Sequence, residues 1–239
     1  MISYNTSTVI DSSLILYLDA ANTRSYPGSG TAWYDLSGNN NHFTLYNGPT
    51  YSNGSIVFDG TNDYAASNNN LNLSSFTQIT CEIWVKCSNT TASMAIEHTA
   101  NWNATLGGWG LATNADGNTS STNMNHTNHH GAAGGRNYLF NNMGTGWNSH
   151  VNIFSIISDA TGRLTYTNGA LQAFTGPYTT STSTSATGVF TSAILYLASR
   201  GGANSFLNGS ISIVKIYGNK QNSNQIIQNF NAHRGRYGV

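Results

Sequence analysis

The sequence predicts an all-β domain of antiparallel strands, and three observations carry that prediction. Short runs with period-two or continuous apolar patterning recur along the chain, separated by Gly, Asn and Asp turns. Helical periodicity is confined to the last part of the sequence. Charged residues make up only 8% of the 239 residues, against roughly 25% in ordinary globular proteins. The surface is therefore solvated mainly by Asn, Ser, Thr and Gly, as in NNNLNLSS and TTSTSTSATG, a composition that suits sandwich loops. With 38% apolar and 11% aromatic residues the chain can bury a core. Disorder, which goes with high net charge and few aromatics, does not fit. No linker divides the chain, so one domain over 14–239 is expected, preceded by an N-terminal arm over 1–13.

Taken in order, strands are expected at 14–19, 55–58, 79–86, 150–158, 163–167, 193–198 and 209–217. In the third, Ile79, Cys81, Ile83 and Val85 share one face and Thr80, Glu82, Trp84 and Lys86 the other, so one side is expected to be core. Trp33 and Trp84 are assigned to core packing. Cys81 and Cys87 fall on that strand about 20 Å apart at ~3.3 Å per residue, too far for a disulfide, and read as packed thiols made in a reducing compartment. Residues 159–162 read as a tight turn, and Asn168-Gly169 favours the positive φ angles of a type I′ hairpin. The stretch 100–148, dense in Gly, Asn and His, reads as several strands with long loops. A helix is expected over 222–233, where Ile226, Ile227 and Phe230 repeat at helical spacing after the candidate caps Asn222 and Ser223.

Five ordered segments, LILYLDAANTRSYPGSGTAWYDLSGNNN, SIVFDGTNDY, FTQITCEIWVK, SDATGRLTYTNGALQ and LNGSISIVKIYGNKQNSNQIIQNFNAHRGRYGV, carry a resemblance. The chain resembles the laminin G-like jelly-roll domains of the concanavalin A-like superfamily, in the form found in bacteriophage virion proteins. The resemblance implies a two-sheet antiparallel jelly-roll sandwich with a short C-terminal helix, where patterning alone leaves sandwich or barrel open. It also implies a capsid decoration or tail-associated subunit on the virion exterior, made in the host cytoplasm. Its partners would be other virion proteins and copies of itself.

Formal net charge is zero and the few Lys and Arg are scattered, which argues against nucleic acid as a partner. No basic segment leads an apolar run at the N-terminus, and no eighteen apolar residues stand together, so neither a secretion signal nor membrane insertion is expected. Glycoside hydrolases occur in the superfamily, and they need two carboxylates about 5 to 9.5 Å apart. Here the only glutamates are Glu82 and Glu97, and the E-x-D-x-E run of the superfamily's glucanases is missing. A non-enzyme is expected.

Asp59 and Asp63 bracket FDGTND, which fits a calcium site at the sandwich rim or, the reading favoured by the frequency of such turns, an Asx-turn pair. No other cofactor is expected. His126, His129 and His130 fit exposed loop histidines better than a metal cluster. For glycan binding, sugar rings stack on aromatic faces while amides bond hydroxyls. Trp102, Trp109 and Trp147 with Asn101, Asn103 and Asn141 supply that chemistry. The alternative is that Trp109 and Trp147 pack under long loops. The expected function is a non-catalytic virion protein whose jelly roll binds host or environmental glycans at a cell surface, with a free lectin and a divergent glycosidase as alternatives.

Overall fold

The computed structural model describes residues 8–88, 93–99, 108–113, 124–125, 147–158, 164–171 and 190–239. In chain order the strands are β1 (Leu14–Asp19), β2 (Ala32–Trp33), β3 (Phe43–Tyr46), β4 (Thr50–Ser52), β5 (Ser55–Asp59), β6 (Tyr64–Ser67), β7 (Leu71–Asn72), β8 (Gln78–Cys87) and β9 (Ser93–His98). They continue with β10 (Trp109–Thr113), β11 (Met124–Asn125), β12 (Trp147–Ser158), β13 (Leu164–Thr167), β14 (Ala170–Leu171), β15 (Ser192–Ala193), β16 (Leu195–Leu197) and β17 (Asn208–Tyr217), and the helix α1 (Ser223–Tyr237) closes the chain.

The strands form an antiparallel two-sheet sandwich, as expected. An eight-stranded sheet runs β14-β13-β12-β8-β17-β5-β4, with β1 also paired to β17. A seven-stranded sheet runs β11-β10-β9-β16-β6-β3-β2, and β7 pairs with β15 separately. The main core lies between the two large sheets: Ile79, Cys81, Ile83 and Val85 of β8 join Trp33, Phe43, Phe58, Leu195, Leu197 and Val214 in one apolar cluster. Both cysteines are free and buried on β8, as their spacing requires.

The opposite face of β8 is also covered, and Trp84 packs there as expected. Trp84, Ile213 and Tyr217 pack against Phe230 and Tyr237 of α1, with the Trp84 and Phe230 rings stacked at 5.9 Å. The helix starts at the expected cap: Asn222 accepts from the backbone of Asn224 and Gln225, and Gln225 returns the bond to the Asn222 amide. It runs past the expected end at His233, through Gly235 to a left-handed C-cap at Gly238. Two contacts hold that last turn, Arg236 on Asp19 at 2.9 Å and Tyr237 on Trp84, while Arg234 and Arg236 suit the negative end of the helix dipole.

Under the helix lies a buried polar cluster. Lys215 Nζ donates to Glu82 Oε2 at 3.0 Å and to Thr8 Oγ1 at 2.6 Å, and Trp84 Nε1 donates to the other Glu82 oxygen at 2.8 Å. The last residues of the arm are tied into it, Val9 N–H donating to Asn229 and Tyr217 O–H donating to the Val9 carbonyl. A bare charge there would cost several kcal/mol, so each is paired.

The free edge of β1 is blunted by the loop that follows β2. The Tyr17 N–H donates to Asp35, the Leu36 N–H to the Tyr17 carbonyl, and the Asn39 and Asn41 amides to the Ile15 carbonyl. Asn168 (φ 49°) and Gly169 (φ 78°) make the expected two-residue hairpin between β13 and β14. The strand expected at 193–198 is instead two, β15 pairing with β7 and β16 with β6 and β9. The chain changes sheets between them at Ile194.

Candidate functional site

Side chains alternate across a strand, so the core positions fix which residues face outward on the seven-stranded sheet. Phe43, Leu45, Ala65, Leu195, Leu197, Ile96 and Leu111 point into the core. Their neighbours Thr44, Tyr46, Tyr64, Ala66, Tyr196, Glu97 and Gly110 therefore share the outer face. The register aligns one row across it, Ala32, Thr44, Ala66, Tyr196, Glu97 and Gly110, with Tyr46 opposite Tyr64 in the next.

This face has small residues in the middle and aromatic groups at both ends. The Tyr46 and Tyr64 rings stack at 4.7 Å and 10°, and Tyr64 meets Tyr196 at 6.4 Å. Behind Tyr64 the loop after β16 comes so close that a Cβ on Gly202 would lie 2.9 Å from the ring, and Gly202 has φ +71°. Both facts require glycine there. At the other end Tyr34 meets His42 edge-on at 5.3 Å, and Thr44 donates to Asn68 at 2.7 Å. His42, just before β3, and Tyr46 at its end are four positions apart, about 13 Å at ~3.3 Å per residue. Ala32, Thr44 and Ala66 lie side by side between these two groups, with Ala66 itself buried.

The charged groups beside the tyrosines compensate each other. Arg200 Nε stands 3.7 Å from Oε1 of Glu97, which is fully buried while Arg200 keeps 28% of its side chain exposed. Burial, then the neighbouring Tyr46, raises the Tyr64 phenol above its ordinary range; burial, Tyr64 and Glu97 do the same for Tyr196. Both hydroxyls stay protonated and can donate and accept. Tyr46 is 40% exposed and offers open aromatic surface.

Of the residues singled out in the sequence, Trp109 requires correction. It is fully buried in the core and stacks on His98 at 5.9 Å, so its ring has no face for a sugar; it belongs to the packing alternative. Trp147 is the first residue of β12, opposite Cys87. Asn101, Trp102, Asn103 and Asn141, the three loop histidines His126, His129 and His130, and the turn at 159–162 lie outside the described residues.

Asp59 makes an Asx-turn, and Asp63 is tied back to the same loop. Asp59 Oδ1 accepts from the Thr61 and Asn62 amides at 2.8 and 3.3 Å, and Asp63 Oδ2 from the Asp59 amide at 3.2 Å. The bond from Thr61 leads in holding the Asp59 carboxyl below its ordinary range. Among the described residues no three His, Cys, Asp or Glu side chains group as metal ligands would.

Glu82 and Glu97 face outward from opposite sheets, with Glu82 locked to Lys215 beneath α1. The core between sheets is itself about 10 Å thick, so these two cannot flank one glycosidic bond.

No protein-family model matches the chain, and no curated protein sequence does. Solved structures with the same fold do. Trypanosoma rangeli sialidase in complex with sialic acid aligns over 98% of this chain and 35% of its own, at 14% identity and a TM-score of 0.65. A botulinum neurotoxin type C structure, described as showing cell entry through two ganglioside molecules, aligns over 93% and 52%, at 14% identity and a TM-score of 0.67. The binding domain of Paraclostridial Mosquitocidal Protein 1 aligns over 92% and 52%, at 14% identity and a TM-score of 0.67. The chain thus spans about a third of the sialidase and about half of the toxin chains.

Proposed function

We propose that this chain is a non-catalytic carbohydrate-binding β-sandwich domain whose site is the outer face of the seven-stranded sheet. One observation carries the reading: Tyr46, Tyr64 and Tyr196 converge with the Glu97–Arg200 ion pair beside the small side chains Ala32, Thr44 and Ala66. Exposed aromatic surface stacks on the C–H face of a sugar, and phenol and guanidinium groups bond its hydroxyls. The proteins of like fold support it, since one was solved with sialic acid and another is described with gangliosides. Titration of short oligosaccharides by NMR tests it. Binding should shift signals of Thr44, Ala66 and the three tyrosines, and Tyr46→Ala should weaken it at least tenfold. Shifts confined to other surfaces would overturn the assignment.

The setting we propose is the surface of a virion, on the resemblance of the five segments to phage jelly-roll domains. Many copies there would turn weak single-site affinity into useful avidity. Mass spectrometry of purified particles checks this: tens of copies per particle are expected, and absence would favour a free lectin.

A further inference from the structure

A second cleft opens on the other side of the sandwich, on the outer face of the eight-stranded sheet where α1 does not reach. It encloses about 250 Å³ and is lined by the β4–β5 hairpin, the ends of β8 and β17, and the chain just beyond β8. The register explains its chemistry. Lys86 lies opposite Ser210, which lies opposite Val57, and the Ser88 amide donates to the Asn208 carbonyl at 2.7 Å. Ser52 and Ser55 close the hairpin side. Close approach of β17 to β8 depends on Gly209, where a Cβ would meet the Lys86 carbonyl at 2.0 Å.

Among the described residues the cleft has one charge. Lys86 is half-buried and, among the described residues, takes part in no ion pair, whereas Lys215 on the same face is paired with Glu82. Among the described residues no carboxylate lines the cleft; Asp59, on the neighbouring β5, turns its Oδ1 to the amides of its own loop. An ammonium ringed by serine hydroxyls and asparagine amides is a donor-rich pocket for one oxyanion. A chain with so few charges places this one in a recess, where it is screened less than an open surface lysine.

We infer that this cleft binds the single anionic group of an acidic saccharide, a sulfate ester or a uronate carboxylate, with Lys86 as counter-ion and Ser52, Ser88 and Ser210 as hydroxyl donors. It rests on the reading of the domain as a glycan binder and gives it a second contact on the opposite sheet. The test is calorimetric titration of the whole chain with a sulfated disaccharide, a uronate disaccharide, their neutral parent and inorganic sulfate. A sulfated or uronate disaccharide should bind at least tenfold tighter than inorganic sulfate. Lys86→Gln should lose that binding at least tenfold, Lys86→Arg should keep most of it, and the affinity should fall as salt is raised. Tyr46→Ala should leave this binding intact while weakening the neutral parent, so failure of either site is seen separately. Equal binding by wild type and Lys86→Gln, or inorganic sulfate binding as tightly as the disaccharides, would overturn the inference.

Discussion

Acid should destabilise this fold through His98, and the size of the effect follows from where that ring sits. His98 is fully buried, stacks on Trp109 and donates from Nε2 to the Leu71 carbonyl at 3.0 Å, since a carbonyl can only accept. Its Nδ1 is buried without a hydrogen-bond partner, and the backbone bonds that Leu71 and Ala193 offer the ring offset only part of the cost of burying a charge there. Burial accordingly pushes its pKa from 6.5 down to about 4. Between those values the unfolded chain takes up a proton that the folded chain refuses. The stabilisation is therefore complete above pH 6.5 and is lost as pH falls toward 4. That interval, at ~1.4 kcal/mol per pH unit, amounts to about 3 kcal/mol. His98→Phe keeps a ring against Trp109 but removes the titration. Urea unfolding at pH 7, 5.5 and 4 should show the variant less stable at pH 7 by about 1–3 kcal/mol, because the Leu71 carbonyl loses its donor. It should also show a loss between pH 7 and 4 that is smaller than the wild type's by about 3 kcal/mol. His233, pushed down to about 2 chiefly by burial and then by Lys215 and Arg236, adds to the acid loss in both proteins. Parallel pH profiles for variant and wild type would refute the reasoning.

Three further outcomes follow from the same packing. Glu82→Gln should cost about 3–5 kcal/mol in urea unfolding by leaving the buried Lys215 charge without its counter-ion. The double variant Glu82→Gln/Lys215→Met should cost less than the sum of the two single changes by more than ~1 kcal/mol, and additivity would contradict the pairing. Gly209→Ala drives a methyl into the Lys86 carbonyl and should cost ~3 kcal/mol in thermal or urea unfolding; an unchanged midpoint would mean the strands are not so close.

Much of the fold was legible because local chemistry and tertiary structure agree. Alternation on β8, the Asn-Gly turn and the Asn222 cap each carry their own signal, and each reappears in place. What was not legible depends on partners distant in sequence. The packing of Trp84 was readable but its partners were not: it shares a face of β8 with Thr80, Glu82 and Lys86, and Phe230 and Tyr237 of α1, more than a hundred residues later, cover it. The helix end was missed because Gly235 reads as a stop, whereas Arg236 on Asp19 and Tyr237 on Trp84 hold one more turn. The site was hidden for the same reason. Tyr46, Tyr64 and Tyr196 lie on three strands with no common motif, and cross-strand register alone brings them together. Trp109, flanked by glycines, has the local look of a loop aromatic, yet its strand turns it into the core.

The most direct test of the central claim is a glycan-array screen of the wild-type chain beside Tyr46→Ala and Tyr64→Ala, with thermal melts of all three. Tyr46 is 40% exposed, so its variant should melt within a few degrees of wild type, and both variants should lose at least tenfold in binding to the same glycans. Undiminished binding by the Tyr46→Ala variant would contradict the assignment of the site, and no binding by the wild type to any glycan would contradict the function.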